Sequence, residues 1–460
     1  MPAKYHIGTA VIPNRFPAIT KSGVIAWEEG CLKCPRCVKK DCVYKVYEKR
    51  KLDSREMIDS LDSICKDCFR CVQNCPGKLI HKGLNPAYKS LGDAYWTPEI
   101  ISGIWSQSES AKIPVSGAGY GGPFSGSGFD AMWTDMSEIV RPTRDGIHGR
   151  EYISTVVDIG RKLMTLKFDA DGKMAVSPPP FVEIPLPITF NLLPWSPSSP
   201  HLTRALLEAA RSLGTMAVIR QSDVTPRFET YYSNIIGYVD SNPDGLSDEF
   251  VRTVPVIELA ESVWSTEIRD HLRKVNPRII ICVRMSLGQD THRRAAQLVR
   301  EGADVLHLAA DEWGNDSGVN PLFIKDRMKE VHLHLVESGL RDQITVLASG
   351  GVAMAEHVAK LIICGADAVS IDIPLLVSME CRVCRRCKDG ISCPVDLENV
   401  DPAWGAARIK NLMAAWHSQL LEIMGAMGMR EVRRLRGEMG RAMFFEDLEK
   451  ETFASMGKRS

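Results

Sequence analysis

From about residue 186 onward, short apolar runs rich in β-branched residues alternate with stretches whose apolar positions recur every three to four residues. A short β-branched apolar run reads as strand and a period near 3.6 as amphipathic helix. The strand candidates are PITFN (187–191), MAVIRQ (216–221), NIIGYVD (234–240), VPVIELA (254–260), RIIICVRM (278–285), DVLHLAA (304–310), ITVLASGG (344–351) and AVSIDI (368–373). Between them run HLTRALLEAARSLG, TEIRDHLRKVN, THRRAAQLVREG, FIKDRMKEVHLHLVESG and AEHVAKLIICG, several closed by the glycine expected past a helix end. Eight strands separated by helices predict an α/β fold closed as a parallel (β/α)8 TIM barrel. An open doubly wound sheet is the competing architecture, but no G-x-G-x-x-G follows the first strand.

Before residue 186 this regularity is absent. PVSGAGYGGPFSGSGF (114–129) is too rich in glycine for helix or strand, and it lacks the Lys-Ser/Thr ending of a phosphate-binding P-loop. The run 139–154 carries Arg141, Arg144, His148 and Arg150, which suit an exposed turn as well as a face toward substrate or cluster. The segment YKVYEKRKLDSREMIDSLDS has helical periodicity and a solvated charged face, and LLEIMGAMGM near the end reads as helix packing. The predicted organisation is a small head (1–85), a glycine-rich connection (86–185), the barrel (186–400) and a helical extension (401–460).

Composition changes this picture little. The 44% hydrophobic and 25% charged content is that of a globular protein, and 57 basic residues balance 57 acidic ones, which argues against nucleic acid as a partner. No secretory signal opens the chain and no run of about eighteen apolar residues could span a bilayer, so a cytoplasmic protein without a transmembrane segment is expected.

Cysteine changes it more. Of 14 cysteines, twelve fall in three tight groups. CLKCPRCVKKDC holds Cys31, Cys34, Cys37 and Cys42; CKDCFRCVQNCP holds Cys65, Cys68, Cys71 and Cys75; ECRVCRRCKDGISCPV holds Cys381, Cys384, Cys387 and Cys393. The second group has the C-x2-C-x2-C-x3-C-P spacing of bacterial ferredoxins, and the first differs by one extra residue before its last cysteine. In two-cluster ferredoxins the fourth cysteine ligates the other cluster. That pattern assigns Cys31, Cys34, Cys37 and Cys75 to one [4Fe-4S] cluster, and Cys65, Cys68, Cys71 and Cys42 to another. Four-cysteine zinc is the alternative, though zinc sites pair C-x2-C units rather than triplets. Such clusters suit a reducing, anaerobic setting. Cys282 and Cys364 sit in apolar runs and read as inert core.

In parallel barrels the chemistry gathers at the carboxyl ends of the strands. Gln221, Asp223, Arg284, Asp311 and Asn315 are therefore the candidate catalytic residues. Gly350 and Gly351 end the seventh strand, where backbone amides could approach a phosphate. Arg284, a cation in an apolar strand, needs a partner: the anionic edge of a reduced flavin, or Asp311 or Glu258 in an internal salt bridge. His307, mid-strand, reads as a core histidine.

The strand order, with KVNPRIIICVRMS, EGADVLHLAADEWG, SGLRDQITVLASGGV, GADAVSID and the trailing ECRVC...CPV, resembles the FMN-binding domain of glutamate synthase. With its ferredoxin-like head, the chain resembles the stand-alone archaeal-type large subunit. The resemblance implies FMN in the barrel mouth, with Gly350, Gly351, Asp372 and Ile373 near its phosphate. It also implies Asn191, Leu192 and Trp195 over the ring, Gln221 beside it, and Arg284 in place of the family's lysine. The implied function is reduction of 2-iminoglutarate, formed from 2-oxoglutarate and ammonia, with ferredoxin or a redox partner subunit exchanging electrons and the chain in an oligomer or complex. The alternative is an electron-transfer subunit without glutamate synthase activity. The family's third cluster is three-iron on three cysteines; this chain adds Cys384, which predicts a third [4Fe-4S] cluster rather than [3Fe-4S]. The loops IRQSDVTPRFE and DEWGNDSGVNP depart from the family, and no glutaminase domain is recognised, so nitrogen is expected from elsewhere.

Overall fold

A computed structural model describes the chain except residues 1–4, 18, 27–29, 48–64, 66, 114–127, 135–152, 176, 196–198, 241–245 and 454–460. Most of the glycine-rich stretch, Arg141, Arg144, His148 and Arg150, and most of the charged segment between the first two cysteine groups lie outside the described residues. The chain divides into two compact units: Pro13–Trp105 with Arg382–Cys384, and the remainder.

The larger unit is built on eight strands: β1 (Ile188–Phe190), β2 (Ala217–Arg220), β3 (Ile235–Val239), β4 (Val256–Ala260), β5 (Ile280–Ser286), β6 (Val305–Ala309), β7 (Thr345–Ser349) and β8 (Ala368–Ile371). Each pairs in parallel with its sequence neighbour, and β8 pairs back onto β1, closing the barrel and excluding the open sheet. All eight strands occur where the alternation predicts them.

The helices follow from local sequence. Ser199 and Ser265 accept backbone N–H bonds at the starts of Pro200–Leu213 and Thr266–Val275, and Gly214 and Gly302 end their helices in the left-handed region. After β2 the connection to β3 is not an α-helix: Pro226 opens a 3-10 segment, Pro226–Asn234. The long helix Pro402–Ala426 packs along Pro200–Leu213, where a side chain on Gly405 would meet Met379 Sδ at 3.0 Å and Ala205 Cβ at 3.1 Å.

At the amino end of the barrel, the antiparallel ribbon Val157–Gly160 with Phe181–Ile184 is tied to β7. There Thr345 Oγ1 donates to Gly160 O at 2.7 Å and accepts from Gly160 N at 3.2 Å. This end is occupied by backbone, so open chemistry belongs at the opposite, carboxyl end.

In the smaller unit an antiparallel ladder, Ser22–Ala26 with Ile80–Leu84, brackets the first two cysteine groups. The extra residue of the first group has a structural outlet. Cys37 to Cys42 is spanned by a π-helical turn, Arg36–Asp41, where Cys71 to Cys75 is spanned by an α-turn, Arg70–Asn74. A π-turn closes over one more residue than an α-turn, so the insertion is absorbed within the turn itself. Val46, Tyr47, Cys71 and Ile80 form a buried hydrophobic cluster in this unit.

Candidate functional site

Strand register sets a charged group inside the barrel. Cys282 pairs with Glu258 and Arg284 with His307, so Glu258, Arg284 and His307 all take inward positions on β4, β5 and β6. Glu258 Oε1 accepts from Arg284 Nε at 2.7 Å and lies 2.7 Å from His307 Nδ1. Of the two salt-bridge partners suggested for Arg284, the structure takes Glu258. Arg284 Nη2 donates to Asn191 Oδ1 at 2.5 Å, and Asn191 Nδ2 donates to Asp372 Oδ2 at 3.4 Å. The guanidinium also stacks on Tyr238, 5.0 Å from the ring centre.

Burial pushes the Glu258 carboxyl up, but Arg284 and His307 outweigh that and hold it at about 2. Burial lowers the His307 pKa against the pull of Glu258. Burial raises Asp372 to about 6. Four buried atoms of this interior have no hydrogen-bond partner: Glu258 Oε2, His307 Nε2, Thr189 Oγ1 and Ser370 Oγ. Orphaned buried polar groups cost about 1–3 kcal/mol each.

The other candidates take different places. Gln221 and Asp223 occupy the turn Gln221–Asp223 directly after β2. The carboxylate of Asp311 accepts from the N–H groups of Trp313 (2.9 Å) and Asn315 (2.7 Å), so it organises its own loop. Gly350 and Gly351 have φ of +100° and +67°, and added Cβ atoms would lie 2.5 Å from Asp311 O and 2.6 Å from Gly314 Cα. Both glycines are required by that close approach of the two loops. Asp372 Oδ1 accepts from Ile373 N at 2.6 Å and caps the helix Ile373–Ser378.

Trp195 does not stand free over the mouth. Its Nε1 donates to Glu312, whose Oε1 also accepts from Arg385 Nε at 3.1 Å and Lys388 Nζ at 3.3 Å. The Arg385 guanidinium lies 5.3 Å from the ring centres of both Trp195 and Trp313. A single carboxylate, 10% exposed, thus clamps the loops after β1 and β6 to the loop bearing the third cysteine group. Charge-assisted hydrogen bonds of this kind contribute about 1.5–3 kcal/mol. Glu312→Gln should therefore speed tryptic cleavage after Arg385, Arg386 and Lys388 about tenfold, the equivalent of about 1.4 kcal/mol of local opening. Unchanged cleavage would mean the loop is held elsewhere. Sequence inspection missed Glu312, Arg385 and Lys388, for which charge pattern offered no signal. Glu258 was detectable as the acid in an apolar strand.

The third cysteine loop is backbone-strained: Glu380, Val383 and Arg385 have φ of 75°, 53° and 56° without being glycine. Cys381 is buried, Cys384 exposed, and Cys387 and Cys393 half-buried.

In the smaller unit, one cavity is lined by Cys31, Cys34, Cys37, Cys71 and Cys75, and another by Cys42, Cys65, Cys68 and Cys71. Cys42 Sγ accepts from Val46 N and Cys75 Sγ from Leu79 N, both at 3.4 Å. Among the described residues no three His, Cys, Asp or Glu side chains converge on a site for one ion. The thiols border open cavities instead.

Fold and site define a (β/α)8 barrel protein with a polar, ion-paired interior and a cysteine-bearing loop after its last strand. Residues 265–430 carry the conserved region in glutamate synthase, and the chain is a homologue of the archaeal-type glutamate synthases over about nine-tenths of its length. It is 25% identical to the archaeal-type glutamate synthase [NADPH] of Dehalococcoides mccartyi, over 89% of this chain and 92% of that one. It is 24% identical to the archaeal glutamate synthase [NADPH] of Archaeoglobus fulgidus, over 94% and 96%. Among solved structures, a flavocytochrome b2 variant with pyruvate bound aligns with a TM-score of 0.42 at 12% identity, covering 66% of this chain and 80% of that one. Among the described residues no helix is long and apolar enough to cross a membrane.

Proposed function

We propose that the chain is an iron–sulfur flavoprotein oxidoreductase of glutamate synthase type. The observation that carries this reading is the pair of cysteine-lined cavities in the smaller unit. Each contains one complete four-cysteine set of the two-cluster ferredoxin pattern: Cys31, Cys34, Cys37 and Cys75, and Cys42, Cys65, Cys68 and Cys71. A four-iron core takes its thiolates at separate corners, and the triplet spacing supplies three of them from one loop. The loop with Cys381, Cys384, Cys387 and Cys393 would hold the third cluster.

The barrel interior fits FMN by its donor set. Four orphaned polar atoms lie beside a cation and an amide that could meet the polar edge of a planar heterocycle, while Gly350, Gly351, Asp372 and Ile373 stand at the ends of β7 and β8 for its phosphate. Bound there, FMN would accept single electrons from the clusters and deliver two-electron chemistry to a small oxo or imino acid. Glu258 holds Arg284 in place, and Asn191 sets its direction. Leu192 and Trp195 belong to the loop that would cover the ring. Gln221, Asp223 and Asn315 would face substrate, and Asp311 shapes the loop that carries Asn315.

Anaerobically purified protein should contain about twelve irons and one FMN per chain. It should form glutamate from 2-oxoglutarate and ammonia with reduced ferredoxin. No flavin would end this reading; no glutamate, with rapid electron exchange with a co-purifying protein, would favour an electron-transfer subunit. Cys384→Ser should leave about eleven irons and produce a three-iron EPR signal. The same signal already present in the unmodified protein would show that Cys384 is not a ligand.

A further inference from the structure

Lys82 stands on the strand Ile80–Leu84, paired opposite Val24. Its side chain is 4% exposed, and its ammonium lies 2.9 Å from Cys65 Sγ and 3.2 Å from Ser22 Oγ. Asp67, two residues past Cys65, is its ion-pair partner and also accepts from Ser22 Oγ at 2.5 Å. The Asp67 side chain is half exposed, so water screens it far better than the buried ammonium. A buried ammonium is costly unless paired, and here one of its partners is a sulfur of the second cysteine group. Lys82 also lines the cavity bordered by Cys42, Cys65, Cys68 and Cys71.

We propose that Lys82 raises the reduction potential of the cluster held by Cys42, Cys65, Cys68 and Cys71. This rests on the reading of the smaller unit as a two-cluster module. One-electron reduction adds a negative charge to the cluster, the electron coming from a one-electron donor that is itself oxidised, with no bond broken and no proton moved. A hydrogen bond and positive charge at a ligating sulfur stabilise the reduced form more than the oxidised one. Asp67 opposes this in part while holding the ammonium in place. Lys82 is a tuning residue whose effect appears in potential rather than in cluster assembly.

The test is an EPR-monitored potentiometric titration of the full-length protein, purified anaerobically with iron and sulfide quantified. Lys82→Met should shift one head-cluster midpoint downward, lowering its reduced-to-oxidised ratio at fixed potential about tenfold, or about 59 mV for one electron. Lys82→Arg should restore most of the shift, and Asp67→Asn should move the same signal upward. The other head cluster stays put as an internal control. Normal iron and sulfide with both midpoints unmoved in Lys82→Met would overturn the proposal, as would shifts of the same sign in Lys82→Met and Asp67→Asn. Should Lys82→Met lose its iron, Asp67→Asn decides: an upward shift supports the role, and no shift or a downward one overturns it. Iron-free unmodified protein would overturn both this role and the reading of the module.

Discussion

Glu258→Gln is expected to destabilise the barrel by about 3–5 kcal/mol, because it leaves the Arg284 cation buried without its counter-charge. The carboxylate is fully buried and serves both Arg284 Nε and His307 Nδ1 through one oxygen. An amide is neutral and cannot replace it. The check is the unfolding midpoint in denaturant, with Glu258→Leu combined with Arg284→Met as the informative companion. Removing both charges should recover most of the stability, since an apolar pair of similar volume often matches a buried ion pair. It should not recover FMN binding, because the cation would be gone. Equal stability for Glu258→Gln and unmodified protein would mean that water reaches this interior.

The same group predicts a pH dependence. Its folded pKa, about 2, lies below the ordinary 4.5. For a carboxyl depressed on folding, the stabilisation is complete above the unfolded value and lost as pH falls through the folded one. Acidification from about 4.5 toward 2 should therefore erode barrel stability, and the Glu258→Gln variant should show a flatter acid limb over that window.

On the proposed two-cluster reading, Cys71→Ser should remove about four irons per chain, a whole cluster, rather than weaken one. Cys71 is the most buried of the eight head cysteines, belongs to the small core with Val46, Tyr47 and Ile80, and borders both cavities. Replacing a soft thiolate by a hard hydroxyl at a position that also packs leaves no substitute ligand in reach. Cys282→Ser is the control: that thiol is fully buried on β5, where burial drives its pKa well up, and iron content should not change. Equal iron loss in both variants would make the Cys71 effect one of folding alone.

Much of the architecture was legible because the β-branched apolar runs of the strands and the periodicity of the helices are local. All eight strands could be read, as could the helix ends at Gly214 and Gly302. The connection after β2 also carries its own signal, since Pro226 and the aromatic run behind it disfavour an ordinary crossover helix. The cysteine spacings carry a local signal of their own, because three thiolates each separated by two residues can converge on one core without help from distant residues.

What the sequence by itself determined is therefore the barrel count and the places of its strands. What only the tertiary structure decided is which side chains meet. Glu258, Arg284 and His307 come together through inter-strand register, which closure of the barrel sets and no local pattern encodes. Trp195, Glu312, Arg385 and Lys388 meet across loops far apart in the chain, and Lys82 reaches Cys65 because a ladder pairs strands nearly sixty residues apart. Electrostatics acts over a few ångströms in space, whereas periodicity acts over a few residues in sequence. The charged site was therefore decided by the fold.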